Sequence, residues 1–380
     1  MSFNNIELKP FLKWPGGKSR ELKYIIPNLP NIIDNYYEPF VGGGAVYFSI
    51  YNANKYFIND KSKDLIDLYN SIKDKKNNLF INCLLEIDKS WCDVESVFNE
   101  NKEALVNIFT SYRRNACKKT LKTKVISWAS LQEIKLCDIL PKSVNYNIEF
   151  YKNEVVINLY RKLNRMYAIE QKKGILSEND IKLNILTALK SALYMYYRHL
   201  HNNQKNLSNH LNSAIYYFIR NYSYSSMFRY NSKGEFNVPY GGIGYNSNRL
   251  RDKIAYLRSN NLADRLKSTV IENKDFINFF EGKEVNINDF IFLDPPYDTE
   301  FSTYDKNKFN FNDQKRLAEL LINRLNCNWM LVIKNTEFIY GLYKNKHNVF
   351  INNFDKKYAV SFMNRNDRKT EHLMITNYKI

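Results

Sequence analysis

The chain has 380 residues, room for two domains or one interrupted by an insertion, with 56 Lys and Arg against 39 Asp and Glu and a net charge of +17. Its 44% apolar content supports a core, no run approaches the roughly 18 apolar residues of a membrane span, the N-terminus carries no apolar signal region, and five cysteines without a CxxC pair read as free thiols rather than zinc ligands. The cationic excess is the footprint of a polyanion partner, although the abundant Lys, Asn, Ile and Tyr also suit an AT-rich coding sequence.

In chain order, YYEPFVGGGAVYFSI (36–50) reads as a strand end, a glycine turn and a helix. No GK[ST] follows Gly44, so this is not a P-loop, and alone it is equally a tight turn of close strand–helix packing. A second strand over Lys55–Asn59 ends at Asp60, where the carboxylate of a nucleotide-binding sheet accepts hydrogen bonds from ribose hydroxyls. NADH, FAD and S-adenosylmethionine all carry that ribose. SKDLIDLYNSI (62–72) follows, with Ser62 as N-cap and Leu65, Ile66, Leu68, Tyr69 and Ile72 mainly at helical spacing. A β-turn-α-β-α start opens a doubly wound sheet.

From about 76 to 264 the chain is polar, basic and helical in pattern. SYRRNACKKTLKTK (111–124) concentrates Arg113, Arg114, Lys118, Lys119, Lys122 and Lys124, either a solvated face or a phosphate-contacting one. In SENDIKLNILTALKSALYMYYRHL (177–200), Ser177 and Asp180 stand at capping-box spacing, and Ile181, Ile185, Leu189, Leu193 and Tyr196 form a core-facing stripe. NYSYSSMFRYNSKGEFNVPYGG (221–242) is aromatic, basic and glycine-punctuated, as a hairpin that enters DNA should be.

After about 265 the strand–helix alternation returns: STVIENKDF (268–276) as a strand, FNDQKRLAELLINRL (311–325) as a helix and WMLVIKN (329–335) as a strand. Between them, FIFLDPPYDTEF (290–301) has a four-residue apolar run ending on Asp294, and Pro295 and Pro296 can continue neither ladder nor helix. A stiff acid-Pro-Pro-aromatic corner thus stands where open α/β sheets bind ligands. With S-adenosylmethionine as cofactor and a planar exocyclic amine as substrate, the Asp294 carboxylate and the Pro295 carbonyl would localise the amine's lone pair as the nitrogen turns pyramidal. Tyr297 would offer the base a stacking face. Such an amine is inaccessible inside a duplex, so the base must flip out.

These blocks, in this order and spacing, resemble the Dam-type (alpha-group) DNA adenine-N6 methyltransferases. The resemblance runs from FLKWPGGK (11–18) through EPFVGGGAVY and Asp60 to RYNSKGEFNVPYG (229–241), DPPY and EHLMITNY (371–378), with no match over about 80–190. It implies an α/β fold: a Rossmann-like S-adenosylmethionine methyltransferase sheet from 1–75 and 265–380, and an inserted, mainly helical target-recognition domain over 76–264 carrying a hairpin near 221–242. It further implies cofactor contacts from Trp14, Lys18, Phe40, Gly42, Gly44, Asp60, Asp275, Phe276 and Asp294, with Asp60 on the ribose and Asp275 and Phe276 flanking the adenine. Asp294, Pro295, Pro296 and Tyr297 match the catalytic motif. Lys13, Tyr224, Met227, Arg229, Asn231 and Lys233 match DNA-facing positions, with Lys13 reaching a target base and Arg229 able to pair bidentately with a guanine. Ser225-Ser226 replaces the Asn-Gly of the GATC enzymes, which argues against GATC as the site. No metal is implied.

The expected activity is transfer of the methyl of S-adenosylmethionine to N6 of a flipped-out adenine in a short site of double-stranded DNA. Cytosine N4, an RNA adenine, a protein glutamine amide, or binding without catalysis are the alternatives. The expected setting is the cytoplasm of a bacterium or a phage-infected cell, at the nucleoid and off the membrane. The protein would act as monomer or weak dimer, with a cognate restriction endonuclease as the other candidate partner.

Overall fold

A computed structural model of the chain describes residues 7–74, 78–144, 147–203, 207–297, 309–357 and 369–380. The first six residues, the expected domain boundary at 75/76 and the DTEF after DPPY (298–301) lie outside them. The chain divides into two compact units, one of Met1–Lys75, Phe228–Tyr230 and Tyr256–Ile380, the other of Lys76–Met227 and Asn231–Ala255.

The first unit is built on one mixed sheet. Its strands are β1 (Asn35–Glu38), β2 (Lys55–Asn59), β3 (Thr269–Glu272), β4 (Phe290–Leu293), β5 (Asn328–Lys334), β6 (Phe350–Lys357) and β7 (Lys369–Thr376), in the order β3-β2-β1-β4-β5-β7-β6. The first five are parallel to one another, and β7 runs antiparallel to both β5 and β6. The chain steps outward from β1 to β2 and β3, then returns to β4 on the other side of β1. A crevice therefore opens between the carboxyl ends of β1 and β4, where ligands bind in such sheets. β4 is apolar throughout because both its faces are covered, and all four residues are fully buried. Ile291, Leu293, Leu331, Ile333 and Leu373 pack against Leu317 and Leu321 of the helix Phe311–Asn323. Burying each such side chain contributes about 1.5–3 kcal/mol.

The expected helices over 62–72 and 311–325 form as Lys63–Lys73 and Phe311–Asn323. The second has a capping box one residue upstream of the predicted start, with Asn310 accepting from Asp313 N at 3.2 Å and Asp313 accepting from Asn310 N at 3.1 Å. One expectation is corrected: after the glycine turn the chain makes only the short 3₁₀ turn Tyr47–Ser49. Val46, Tyr47, Phe48 and Ile50 are all buried there, so no polar face exists for an amphipathic helix to present to water.

The second unit is helical, with long helices at Leu79–Asn115, Ile148–Lys173 and Glu178–Asn202 and shorter ones at Lys118–Leu131, Glu133–Ile139 and Asn209–Tyr222. The stripe Ile181, Ile185, Leu189, Leu193 and Tyr196 is buried. Ser177 caps its helix, accepting from Asp180 N at 3.1 Å while donating its hydroxyl to the Asp180 carboxylate at 2.7 Å. Deep in this unit the Lys190 ammonium meets Glu95 and the Asn246 carbonyl, each at 2.5 Å, and lies 4.6 Å from the Trp91 ring centre. Arg249 holds the other oxygen of Glu95 at 2.6 Å.

Candidate active site

Asp294 leaves β4 at the crevice edge. Its carboxylate accepts from the Lys18 ammonium, whose side chain is 2% exposed. That ammonium also donates to Gly16 O at 3.1 Å and to Tyr297 Oη at 3.2 Å, so all three of its hydrogens are engaged. Tyr297 Oη in turn lies 3.2 Å from Nε2 of His372, a fully buried residue of β7. Gln314, also buried, donates to Pro296 O at 3.0 Å. The two prolines stiffen this corner locally, and three side chains distant in sequence hold it in place. At the end of β1, buried Glu38 accepts the Tyr36 hydroxyl at 2.6 Å. Burial, and then the negative charge of Asp294, push the Glu38 carboxyl well above the usual carboxylate range, against the pull of Tyr36 and Lys18.

The glycine turn is packed closely on its neighbours. Gly42 and Gly44 have φ of +49° and +75°, conformations that disfavour a side chain, and a Cβ on Gly44 would stand 2.6 Å from the Tyr69 hydroxyl. Gly43 has Leu12 O and Trp14 Cβ each 3.1 Å from where its Cβ would be. Trp14 covers the turn and packs against Phe228, ring centroids 4.8 Å apart. Asp60 braces it from β2: Oδ2 accepts from Gly42 N at 3.0 Å and Oδ1 from Ser62 N at 2.9 Å.

Beside the turn stand three phenylalanines. The ring centroids of Phe40 and Phe276 are 5.5 Å apart, and Phe309 is 5.6 Å from each. Arg316 lies 5.0 Å from the Phe276 ring centre and donates to Asp275 Oδ1 at 2.9 Å, an oxygen that also accepts from Ile277 N at 3.1 Å. This edge thus offers a braced carboxylate, an aromatic wall, and an acid and carbonyl on a rigid corner.

A family model of D12 class N6 adenine-specific DNA methyltransferases matches residues 14–129 and 123–360, most of the chain. The chain belongs to that family. It methylates adenine N6 in DNA at specific sites, and as a methyltransferase it draws on a methyl donor. The methyltransferase is 24% identical over 327 residues to the type II methyltransferase M1.LlaDCHI of Lactococcus lactis subsp. cremoris, covering 83% of this chain and 77% of that one. It is 23% identical over 377 residues to the type II methyltransferase M.CviBI of Paramecium bursaria Chlorella virus NC1A, covering 98% and 100%. With the DNA adenine methylase of Haemophilus influenzae it shares 24% identity over 318 residues, covering 82% and 73%.

The residues expected at DNA occupy two settings in the methyltransferase. Lys13, Tyr224, Arg229 and Lys233 are exposed, while Met227 and Asn231 are half-buried. In place of a hairpin of two strands, the block over 221–242 finishes the helix Asn209–Tyr222, makes the 3₁₀ turn Tyr224–Ser226 and continues as a loop, with an antiparallel bridge from Ser223 to Tyr240. Ser225 and Ser226 both take positive φ, 51° and 52°. Buried Arg220 secures this turn by donating to Met227 O at 2.5 Å. The Asn231 side chain is occupied locally, accepting from Lys233 N and Glu235 N, each at 3.0 Å, and donating to the Glu235 carboxylate at 2.7 Å. In the basic run, Arg113 pairs with Glu170 at 3.3 Å, while Arg114, Lys118, Lys119, Lys122 and Lys124 are exposed. Sequence reasoning passed over Glu38, Arg220, Phe309, Gln314, Arg316 and His372. Glu38 had a local cue, since it opens the EPFVGGG motif, and His372 lies in the EHLMITNY block.

Proposed function

We propose that the methyl donor is S-adenosylmethionine and that the target adenine is flipped out of a short duplex site onto the Asp294–Tyr297 corner. The chemistry of the donor set supports this reading. Backbone N–H groups of Gly42 and Ser62 hold both carboxylate oxygens of Asp60 beside the glycine turn, which suits an acid meant for ribose hydroxyls. The triangle of Phe40, Phe276 and Phe309 suits an adenine face. When bound, the sulfonium supplies an electrophilic methyl. Trp14, Phe40, Gly42, Gly44, Asp60, Asp275 and Phe276 would hold the cofactor, and Lys18 would act on the site through Asp294.

The chain's own part in catalysis is positioning and electrostatics. Adenine N6 is a poor nucleophile because its lone pair is delocalised into the ring. Acceptors at Asp294 and the Pro295 carbonyl favour the pyramidal nitrogen as its bond to the methyl forms. The contact of Asp294 with Lys18 is the single observation that carries this assignment: it holds the acid's direction at the crevice. Tyr297 supplies the stacking face and Pro296 the rigidity.

We read the sheet unit as catalytic, within a Rossmann-like arrangement, and the helical unit as target-recognising. Lys13, Tyr224, Met227, Arg229 and Lys233 contact DNA in this reading, while Asn231 shapes the turn that presents Lys233. The names of the type II relatives support a role beside a restriction endonuclease; in this reading the protein works in the cytoplasm as monomer or weak dimer. Among the described residues no helix is long and apolar enough to cross a membrane. The decisive experiment incubates the protein with S-adenosylmethionine and unmethylated plasmid, then identifies modified nucleosides by mass spectrometry. N6-methyladenine from wild type and none from Asp294→Ala is the expected result. Methylation that survives in the variant would remove Asp294 from the mechanism.

A further inference from the structure

The Tyr297 hydroxyl has an unusual setting for a group whose suggested task, stacking, belongs to its ring. Lys18 approaches its oxygen at 3.2 Å, and His372 Nε2 lies 3.2 Å away. An ammonium can only donate, so the phenol oxygen accepts from Lys18. The same oxygen shares a hydrogen bond with His372 Nε2, whose direction is set by the tautomer of the imidazole. The Lys18 ammonium lies 5.5 Å from the centre of the same ring, and the His372 and Tyr297 rings meet edge to face with centroids 5.6 Å apart. His372 is fully buried on β7 between its two antiparallel neighbours, opposite Lys334 of β5 and Phe354 of β6, and packs on the Phe354 ring at 5.9 Å. It is therefore a fixed point of the sheet, and Tyr297 is tied to it just after two prolines.

We propose that His372 is a positioning residue for methyl transfer: by its hydrogen bond with the Tyr297 hydroxyl it sets the orientation of the ring before DNA arrives. The inference rests on reading Tyr297 as the platform for the flipped adenine. It assigns a use to the hydroxyl, since a phenylalanine could stack equally well but could not be held at both Lys18 and His372. A ring fixed in advance spares the complex the ordering of that side chain when the base arrives, and the benefit should appear in base capture and turnover.

The test is a cycle of His372→Phe, Tyr297→Phe and the double variant, read by kcat, KM and the fluorescence of 2-aminopurine at the target position of a substrate duplex. Losing one neutral hydrogen bond predicts a fall in kcat/KM of roughly three- to tenfold for each single variant, with a dimmer flipped-base signal. The double variant should lose no more than Tyr297→Phe alone. Multiplying losses, or no loss in His372→Phe, would overturn the proposal. His372→Gln, whose amide can donate or accept, should recover activity, and this variant guards against misfolding of the phenylalanine form. A folded but inactive glutamine form, by melting temperature, would equally overturn it. Tyr297→Ala separates the two ideas: near-wild-type turnover there would sink the platform reading itself, whereas an inactive alanine form with independent His372 and hydroxyl effects would sink only this inference.

Discussion

Trp14 lies directly over Gly42, and a Cβ added to that glycine would stand 2.6 Å from Trp14 Cδ1. Gly42→Ala therefore combines a clash with a left-handed backbone, φ +49°, that costs about 1–2 kcal/mol for an ordinary residue. We expect a lower melting temperature and at least a tenfold loss of methyl-donor affinity by calorimetry. Gly16→Ala is the matched control. Its φ is +76° but nothing lies within 4 Å of the new methyl, so only the backbone cost should appear.

Lys18→Met should leave the sheet folded and remove the counter-ion of Asp294. Electrostatic groups of this kind are worth on the order of a hundredfold in kcat, and we expect a loss of that size in single-turnover measurements. Lys18→Arg should rescue poorly, because a planar fork cannot reproduce the three divergent bonds to Gly16 O, Asp294 and Tyr297. Full activity in Lys18→Met would show that the ion pair is merely structural.

The buried cluster in the helical unit predicts a pH dependence of stability. Burial pulls the Lys190 ammonium from its ordinary 10.5 down to about 8, although Glu95 opposes the shift. Between those values the unfolded chain binds the proton and the native chain does not, so this residue makes stability rise with pH across that window. Urea titrations from pH 7.5 to 10 should show a steeper upward trend for wild type than for Lys190→Met. Equal trends would mean that Lys190 keeps its ordinary affinity for the proton.

Ser225→Asn with Ser226→Gly tests the strained turn. Both serines hold positive φ, and Asn and Gly adopt that region most readily. A stabilisation of about 1 kcal/mol or more is expected in thermal melts. Sequencing of methylated plasmid should report whether target choice moves with it. A destabilised double variant would indicate that the serine side chains contribute more than their backbone costs.

The parts of this protein that were legible in its sequence are those in which neighbouring residues cooperate. β2 was predicted over its observed span, Lys55–Asn59, and β4 declared itself by apolar character and an abrupt proline end. The helix Glu178–Asn202 followed from its cap and stripe. The partners of the corner were not legible, because Lys18 meets Asp294 across 276 positions and His372 meets Tyr297 across 75. Phe309 reads as one aromatic among 24 phenylalanines until the fold brings it to Phe40 and Phe276. β6, with Asn352, Asn353 and Asp355 at its centre, lacks the apolar alternation that announces a strand, since it lies at the sheet's rim and pairs only with β7.

The placement of β7 has a consequence for biosynthesis. It is threaded between β5 and β6 although both are made before it, and it carries the histidine that meets the corner. A nascent chain halted before Lys369 would hold the glycine turn, Asp60 and the whole DPPY motif, yet β6 would lack the strand it pairs with and Tyr297 its contact with His372. We expect such ribosome-bound or truncated products to be unable to methylate DNA, so that modification begins only once β7 has left the ribosome.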